Sequence, residues 1–319
     1  MKKTILFLAC LSGFAAGVQA QKPDTARAVV HYKFSHLRDT THRDKPYTEN
    51  MVLFVGATSS AYKSYDRKIQ EALMKKQVAD QMAEQKGNGG RVNIKVTGAA
   101  PTTRNEFYQF PMQHKLVRKE RLITPYMIEE PMPVIDWKIS ADTASFSGLH
   151  CQKATGHFKG RDYTAWFCPD LPFHAGPWKL NGLPGLIVEA YDANKEVVFK
   201  FDGLDEVTNT PKPATEAPVP GGATIKLIGM DDANDDPNVI ALPTDAVKTT
   251  EKEFRNLEAA MRKDPNAFAQ SAMAGSGGGM RAGGPGEGPG GGGGGPQMRI
   301  QINGTGPVIN NPLELPEKK

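Results

Sequence analysis

The sequence predicts a mostly β chain of the α+β class: a curved antiparallel sheet or half-open barrel with one or two helices. Three observations carry this. Short alternating segments recur between glycine, proline and asparagine turn signals. The stretch Cys151 to Cys168 reads as a two-strand hairpin. Only two stretches, Ser59 to Gln85 and Thr244 to Arg262, carry helical composition.

The chain opens Met1-Lys2-Lys3, runs apolar from Thr4 to Val18, and reads Val18-Gln19-Ala20 before Gln21. A basic start, a short apolar core and small residues at −3 and −1 predict a secretory signal peptide over residues 1–20. The rival reading, a lipidated Cys10, leaves almost no apolar segment upstream. No later segment is apolar and long enough to span a bilayer as a helix. Cleavage leaves 319 − 20 = 299 residues, with 39 − 2 = 37 basic against 35 acidic side chains. A charge so near neutrality offers no electrostatic ground for nucleic acid or an anionic membrane as partner.

Residues 21–270 are expected to form one β-rich domain. Ala28 to Phe34 and Asn50 to Gly56 read as strands joined by a polar loop. The helical insertion near 59–86 begins with serines and places Ile69, Leu73, Val78 and Met82 at helix-like spacing. Arg91 to Thr97 reads as a short strand or a flexible extension. Phe107 to Phe110, Lys115 to Ile123 and the Tyr126 to Ile128 region suggest an antiparallel meander, interrupted by Pro131-Met132-Pro133. Val134 to Ile139 is a further strand, with Asp142-Thr143 expected to turn it into Ala144 to Cys151.

The hairpin can be read residue by residue. A turn with Lys159-Gly160 at its tip makes paired positions sum to 319. Cys151 then faces Cys168, Lys153 faces Trp166 and His157 faces Asp162. Directly opposed cysteines are close enough to bridge, and an exported chain permits a disulfide. The alternative is two free, buried thiols. Either way the role is structural, since no CxxC spacing is present.

Past Cys168, Pro169 to Trp178 is too rich in proline and glycine for regular pairing. It reads as an ordered loop, with Phe173 and Trp178 plugging one end of the sheet and the indole bonded to a carbonyl. Gly182-Leu183-Pro184-Gly185-Leu186-Ile187 follows. Pro184 and Gly185 fit the central positions of a type II turn that feeds a strand through Tyr191. Val197 to Phe201 pairs back on that strand across Asp192 to Lys195. Residues 209–222 read as a proline-rich surface excursion and Thr224 to Met230 as another strand. Residues 271–297 are largely glycine, cannot bury enough apolar area to offset chain entropy, and are expected to be disordered. Residues 298–319 form a last strand and tail.

The Gly182 to Ile187 run, together with Tyr32-x-Phe34, Trp137-Lys138-Ile139, Cys151-Gln152-Lys153-Ala154, Gly160-Arg161, Ala165-Trp166, Gly176-Pro177-Trp178 and the terminal Asn310-Asn311-Pro312-Leu313-Glu314-Leu315, resembles the GLPGLI family of secreted Bacteroidetes proteins. The resemblance implies export and a β-rich fold, and it supplies no reaction. At the level of fold alone, a long sheet twisted on itself with a helix against its concave face is similar to the LolA-like architecture of periplasmic lipid carriers.

Seven histidines show no HxH, HExxH or zinc-ligand spacing, the serines no GxSxG elbow, and the twelve methionines no Met/His boxes. No catalytic residue, cofactor or metal is therefore assigned. Lys153, Arg161 and Trp166 converge on the hairpin and would hold an anionic or aromatic ligand if exposed; the competing reading is a solvated strand face. His174 and Trp178 in the loop complete the candidate ligand contacts. The leading expectation is an exported cell-envelope protein, in the periplasm, at the outer membrane or outside the cell, that binds a ligand or protein partner without catalysis. The alternatives are a metal-binding or metal-dependent protein using His150, His157, His174 or glutamates, and a structural envelope or surface component.

Overall fold

A computed structural model describes residues 23–85, 101–207, 238–244, 246–275 and 309–317. The expected signal segment, the expected strands at 91–97, 224–230 and 298–302, the expected 209–222 excursion and most of the glycine-rich tract lie outside the described residues.

The architecture is mostly β, as the sequence predicts: one open, curved twelve-stranded sheet beside a two-stranded one. The small sheet pairs β1 (Asp24–Thr25) with β13 (Val239–Ile240). The large sheet begins with β2 (Ala28–His36), β3 (Tyr47–Val55) and β4 (Ser60–Ser64). The helix α1 (Tyr65–Gln85) follows. The meander is β5 (Glu106–Phe110), β6 (Lys115–Arg121) and β7 (Pro125–Pro131). Next come β8 (Lys138–Phe146), β9 (Leu149–Phe158), β10 (Arg161–Cys168), β11 (Leu186–Asp192) and β12 (Val197–Glu206). The short β14 (Val247–Thr249) leads into α2 (Glu251–Lys263) and α3 (Pro265–Gly275). Across the sheet the order is β14-β7-β6-β5-β4-β3-β2-β12-β11-β10-β9-β8. Every pairing in it is antiparallel except that of β14 with β7.

Strand alternation divides the buried residues into two cores. On one face Tyr32, Phe34, Met51, Leu53, Tyr62, Tyr163, Phe167, Val188 and Phe199 pack together. On the other, Val52, Phe54, Tyr108, Phe110, Val117 and Met127 pack with Ala26 and with Ile240 of the small sheet. A strand buried on both faces reads as a continuous apolar run, as Met51 to Val55 does.

Three expectations are corrected. The helix begins at Tyr65, because Ser60 to Ser64 pair with β3 and β5 as strand. Ile69 and Leu73, two of the four residues at helix-like spacing, are 42% and 55% exposed. Asp142-Thr143 is no turn: it lies at a register irregularity inside β8, and the reversal falls at Ser147-Gly148, whose φ values are 48° and 87°. The second helix starts at Glu251 rather than Thr244. Thr250 caps it in a box with Glu253, and Val247 to Thr249 are strand.

The β9–β10 register is the predicted one, with Lys153 opposite Trp166 and His157 opposite Asp162. Lys159 and Gly160 both have positive φ, 52° and 70°, which a two-residue type I′ hairpin requires. Cys151 and Cys168 form a disulfide with Cα atoms 4.1 Å apart.

Candidate ligand-binding cleft

The apolar face of β2, β4, β5, β9 and β12 does not close on itself. It floors a cleft of about 980 Å³. The floor is aromatic: Phe34, Tyr62, Phe107, Phe158, Trp178 and Phe199. Trp178 lies parallel to Phe199, centroids 6.3 Å apart and planes 13° apart, and tilts against Phe158 at 5.5 Å. Its backbone sits at φ 55°, an uncommon conformation for tryptophan, held in part by Gln109 Nε2 donating to its carbonyl at 2.9 Å. Tyr62 is buried, and among the described residues its hydroxyl has no hydrogen-bond partner, a cost that most native interiors avoid.

The chain's own C-terminal segment forms one wall, through Ile309, Pro312, Leu313 and Glu314. Arg161 fixes that strap. Its guanidinium donates from Nε to Leu313 O at 3.0 Å, and from Nη2 to Asn311 Oδ1 at 2.6 Å and Pro312 O at 2.7 Å. Nη1 meets the Asp192 carboxylate at 2.6 Å. Asn311 donates to Leu37 O at 2.8 Å and Glu196 Oε2 at 2.9 Å, while its carbonyl accepts from His36 Nε2 at 2.9 Å. Burial first, then the charges of Arg38 and Arg161, lower the His36 pKa to about 4, so the ring is neutral near pH 7. Farther on, Leu315 N donates to Lys159 O at 3.0 Å, and Glu317 bonds His157 at 2.8 Å and Gly160 N at 3.1 Å. Gly160 is required here twice over, since a Cβ would come within 2.8 Å of Leu315.

A charge network occupies another wall. Buried Lys179 bridges Glu130 and Glu314, each at 2.9 Å. Arg118 meets Glu120, Glu130 and, from α2, Glu251. It is thus α2, not α1, whose residues border this face.

The candidate contacts named from sequence do not assemble into one site. Arg161 is buried and fully engaged by the strap and Asp192, so it is a structural anchor and not an exposed ligand contact. It also lies on the opposite face of the hairpin from Lys153 and Trp166, as its pairing with Phe158 dictates. Lys153 bonds Asp142 at 3.1 Å, and Trp166 packs on Phe146 at 5.8 Å, both half-buried on the far side. His174 is exposed on its loop. Of the five, Trp178 alone lines the cleft. His157 is the polar hairpin residue expected, bonded to Asp162 at 2.6 Å and, unforeseen, to Glu317; Asp162 first, then Glu317, raises its pKa. Among the described residues no group of three His, Cys, Asp or Glu is placed to hold a metal ion, and no helix is long and apolar enough to cross a membrane.

The Gly182 to Ile187 run packs beneath Trp178, with Leu183, Leu186 and Ile187 in the same core. Ile187 O accepts from the Tyr32 hydroxyl at 2.6 Å. The reversal is not a type II turn. Gly185 lacks a positive φ, and its N–H bonds Leu183 O at 2.9 Å, a three-residue turn about Pro184. Gly185 is needed for close approach instead: a Cβ would lie 2.4 Å from Cys168 O. The positive φ, 90°, belongs to Gly182. The indole-to-carbonyl bond expected in this corner is made by Trp137, whose Nε1 donates to Asn181 O at 2.7 Å.

Residues 153–189 match a family model described as "Protein of unknown function (Porph_ging)". The Porph_ging match begins at Lys153 in β9, spans β10 and the loop through Trp178, and ends in β11. It contains the whole Gly182 to Ile187 run, which is compatible with the resemblance drawn from sequence. Two solved structures of PNGF-II are similar in part. The one in space group C2 has 11% identity and a TM-score of 0.39, covering 57% of this chain and 28% of PNGF-II. The one in P21 has 10% identity and a TM-score of 0.44, covering 72% and 32%. The chain thus spans about a third of PNGF-II or less. No curated protein matches it.

Proposed function

We propose that this is an exported cell-envelope protein that binds a small ligand, without catalysis, in the aromatic-floored cleft. The observation that carries the reading is the cleft itself: about 980 Å³ of space over six aromatic side chains, with a buried, partnerless Tyr62 hydroxyl among them. Such a volume lies at the upper end of small-molecule sites, which pair an apolar lining with a few polar groups. The Cys151–Cys168 disulfide and the leader-like Met1 to Ala20 segment support an oxidising compartment.

The test is native mass spectrometry of the full chain recovered from a cell envelope, against Asn105→Trp. Asn105 lines the cleft outside the sheet's strands, so an indole there fills the space without disturbing the core. The expected result is a bound small molecule on the parent and none on the variant. Empty parent protein, or a ligand held equally by both, would overturn the reading.

A further inference from the structure

The charges around the cleft do not balance. Its lining carries six cations, Arg38, Arg104, Arg118, Lys159, Lys179 and Arg255, against three carboxylates, Glu130, Glu251 and Glu314. All three carboxylates are engaged: Glu130 and Glu314 by Lys179, Glu314 also by Lys159, and Glu251 by Arg118 and Arg255. That leaves Arg38 and Arg104 with no carboxylate in ion-pair range among the described residues. Arg38 lies over the Tyr47 ring, 3.3 Å from its centroid, a cation–π contact that orients the guanidinium without neutralising it. Among the described residues Arg104 has no such partner. Arg104 is exposed at the edge of the cleft; partial burial of its guanidinium first, then the charges of Arg67 and Arg121, lower its pKa.

A guanidinium at the edge of the cleft, with like charges nearby and no carboxylate in range, is relieved by an anion, and its fork matches a carboxylate or phosphate. A free inorganic anion would leave the aromatic floor bare. Phe34, Phe107 and Phe158 keep only 6–8% of their surface exposed while Ile309 keeps 52%, and an apolar body laid over these edges removes what remains from water at roughly 25 cal/mol per Å². Resting on the binding role argued above, we propose that the cleft takes an anionic amphiphile, its apolar chain or ring system on the aromatic floor and its carboxylate or phosphate head at Arg104.

The experiment is calorimetric titration of the full-length protein with decanoate, decyl phosphate, decanol and inorganic phosphate at low salt. Decanoate and decyl phosphate are expected to bind at least tenfold more tightly than decanol or inorganic phosphate. Arg104→Ala should bring the anionic chains within about threefold of decanol, with decanol itself unmoved, and Arg104→Lys should recover part of the difference. Equal affinity for decanol and decanoate, or an Arg104→Ala loss shared by decanol, would overturn the headgroup assignment. Inorganic phosphate binding as tightly as decyl phosphate would overturn the apolar body. If no probe binds but envelope-recovered protein carries a neutral adduct that Asn105→Trp abolishes, the ligand class is wrong and the binding role stands. If no adduct is found either, the binding role falls with it.

Discussion

Arg161 Nη2 donates to Asn311 Oδ1 at 2.6 Å, joining the tip of a hairpin to the tail across 150 residues of sequence. The same guanidinium holds Pro312 O, Leu313 O and the Asp192 carboxylate. One buried arginine therefore couples three elements that line or brace the cleft. Removing it strands a buried carboxylate and frees three acceptors.

Arg161→Met should accordingly cost about 3–5 kcal/mol, the range for breaking a buried ion pair from one side. Arg161→Lys should recover little, because an ammonium cannot serve Nε, Nη1 and Nη2 at once. Chemical denaturation gives the cost. Hydrogen exchange over residues 310–317 should rise in both variants, while exchange in β2 and β3 should follow only the global change.

Protonation of His36 opposes folding. Its unfolded pKa is near 6.5 and its folded value about 4, so the unfolded state binds more protons between these limits and stability rises with pH. The contribution is complete above pH 6.5 and is lost as pH falls towards 4, on the order of 3 kcal/mol in full. His157 has the opposite sign: its raised pKa adds stability below 6.5 that fades as pH rises through the folded value. His36→Gln retains an N–H donor for Asn311 O. Stability measured against pH should therefore flatten between 6.5 and 4 in that variant relative to the parent. Parallel curves would contradict the assignment.

The Cys151–Cys168 bridge closes a loop of sequence separation 17, worth about 3 kcal/mol by chain entropy. Cys151→Ala with Cys168→Ala should lower stability by that order while leaving the hairpin register intact, since Lys159-Gly160 sets it independently. Reducing agent should lower the melting temperature of the parent and leave the double variant unchanged.

Gly185→Ala places a methyl 2.4 Å from Cys168 O, a backbone atom braced by the disulfide. Overpacking of this kind costs about 1–3 kcal/mol, and the value should lie at the upper end because neither partner can swing away. At Gly148 a Cβ meets nothing within 4 Å, and only its φ of 87° opposes substitution. Gly148→Ala should therefore cost less, as paired denaturant titrations of the two variants would show.

These contrasts mark what the sequence could convey. The hairpin register was legible because a two-residue turn and a period of two leave one solution, and that solution carried the disulfide with it. The same parity places Arg161 on the face opposite Lys153 and Trp166, so the three cannot share one binding surface. Local turn chemistry assigns Gly185 to a type II turn, whereas its actual constraint is close approach to the Cys168 carbonyl, which no local pattern shows. The cleft was not legible. Phe34, Phe107, Trp178, Phe199 and Arg104 meet through strand order, and strap residues 309–314 close the wall from the far end of the chain. Inward aromatics recurring at Tyr32, Phe34, Tyr62, Phe107 and Phe199 were the available signal.

The central claim is that the concave face is a hollow, ligand-holding cleft. A crystal structure of the full chain recovered from a cell envelope tests it most directly. Electron density for a small molecule is expected between the edges of Phe34, Phe107 and Phe158 and the Ile309 to Glu314 strap, with a charged end toward Arg104. A cleft filled by its own side chains, with no density for a bound molecule, would show the opposite.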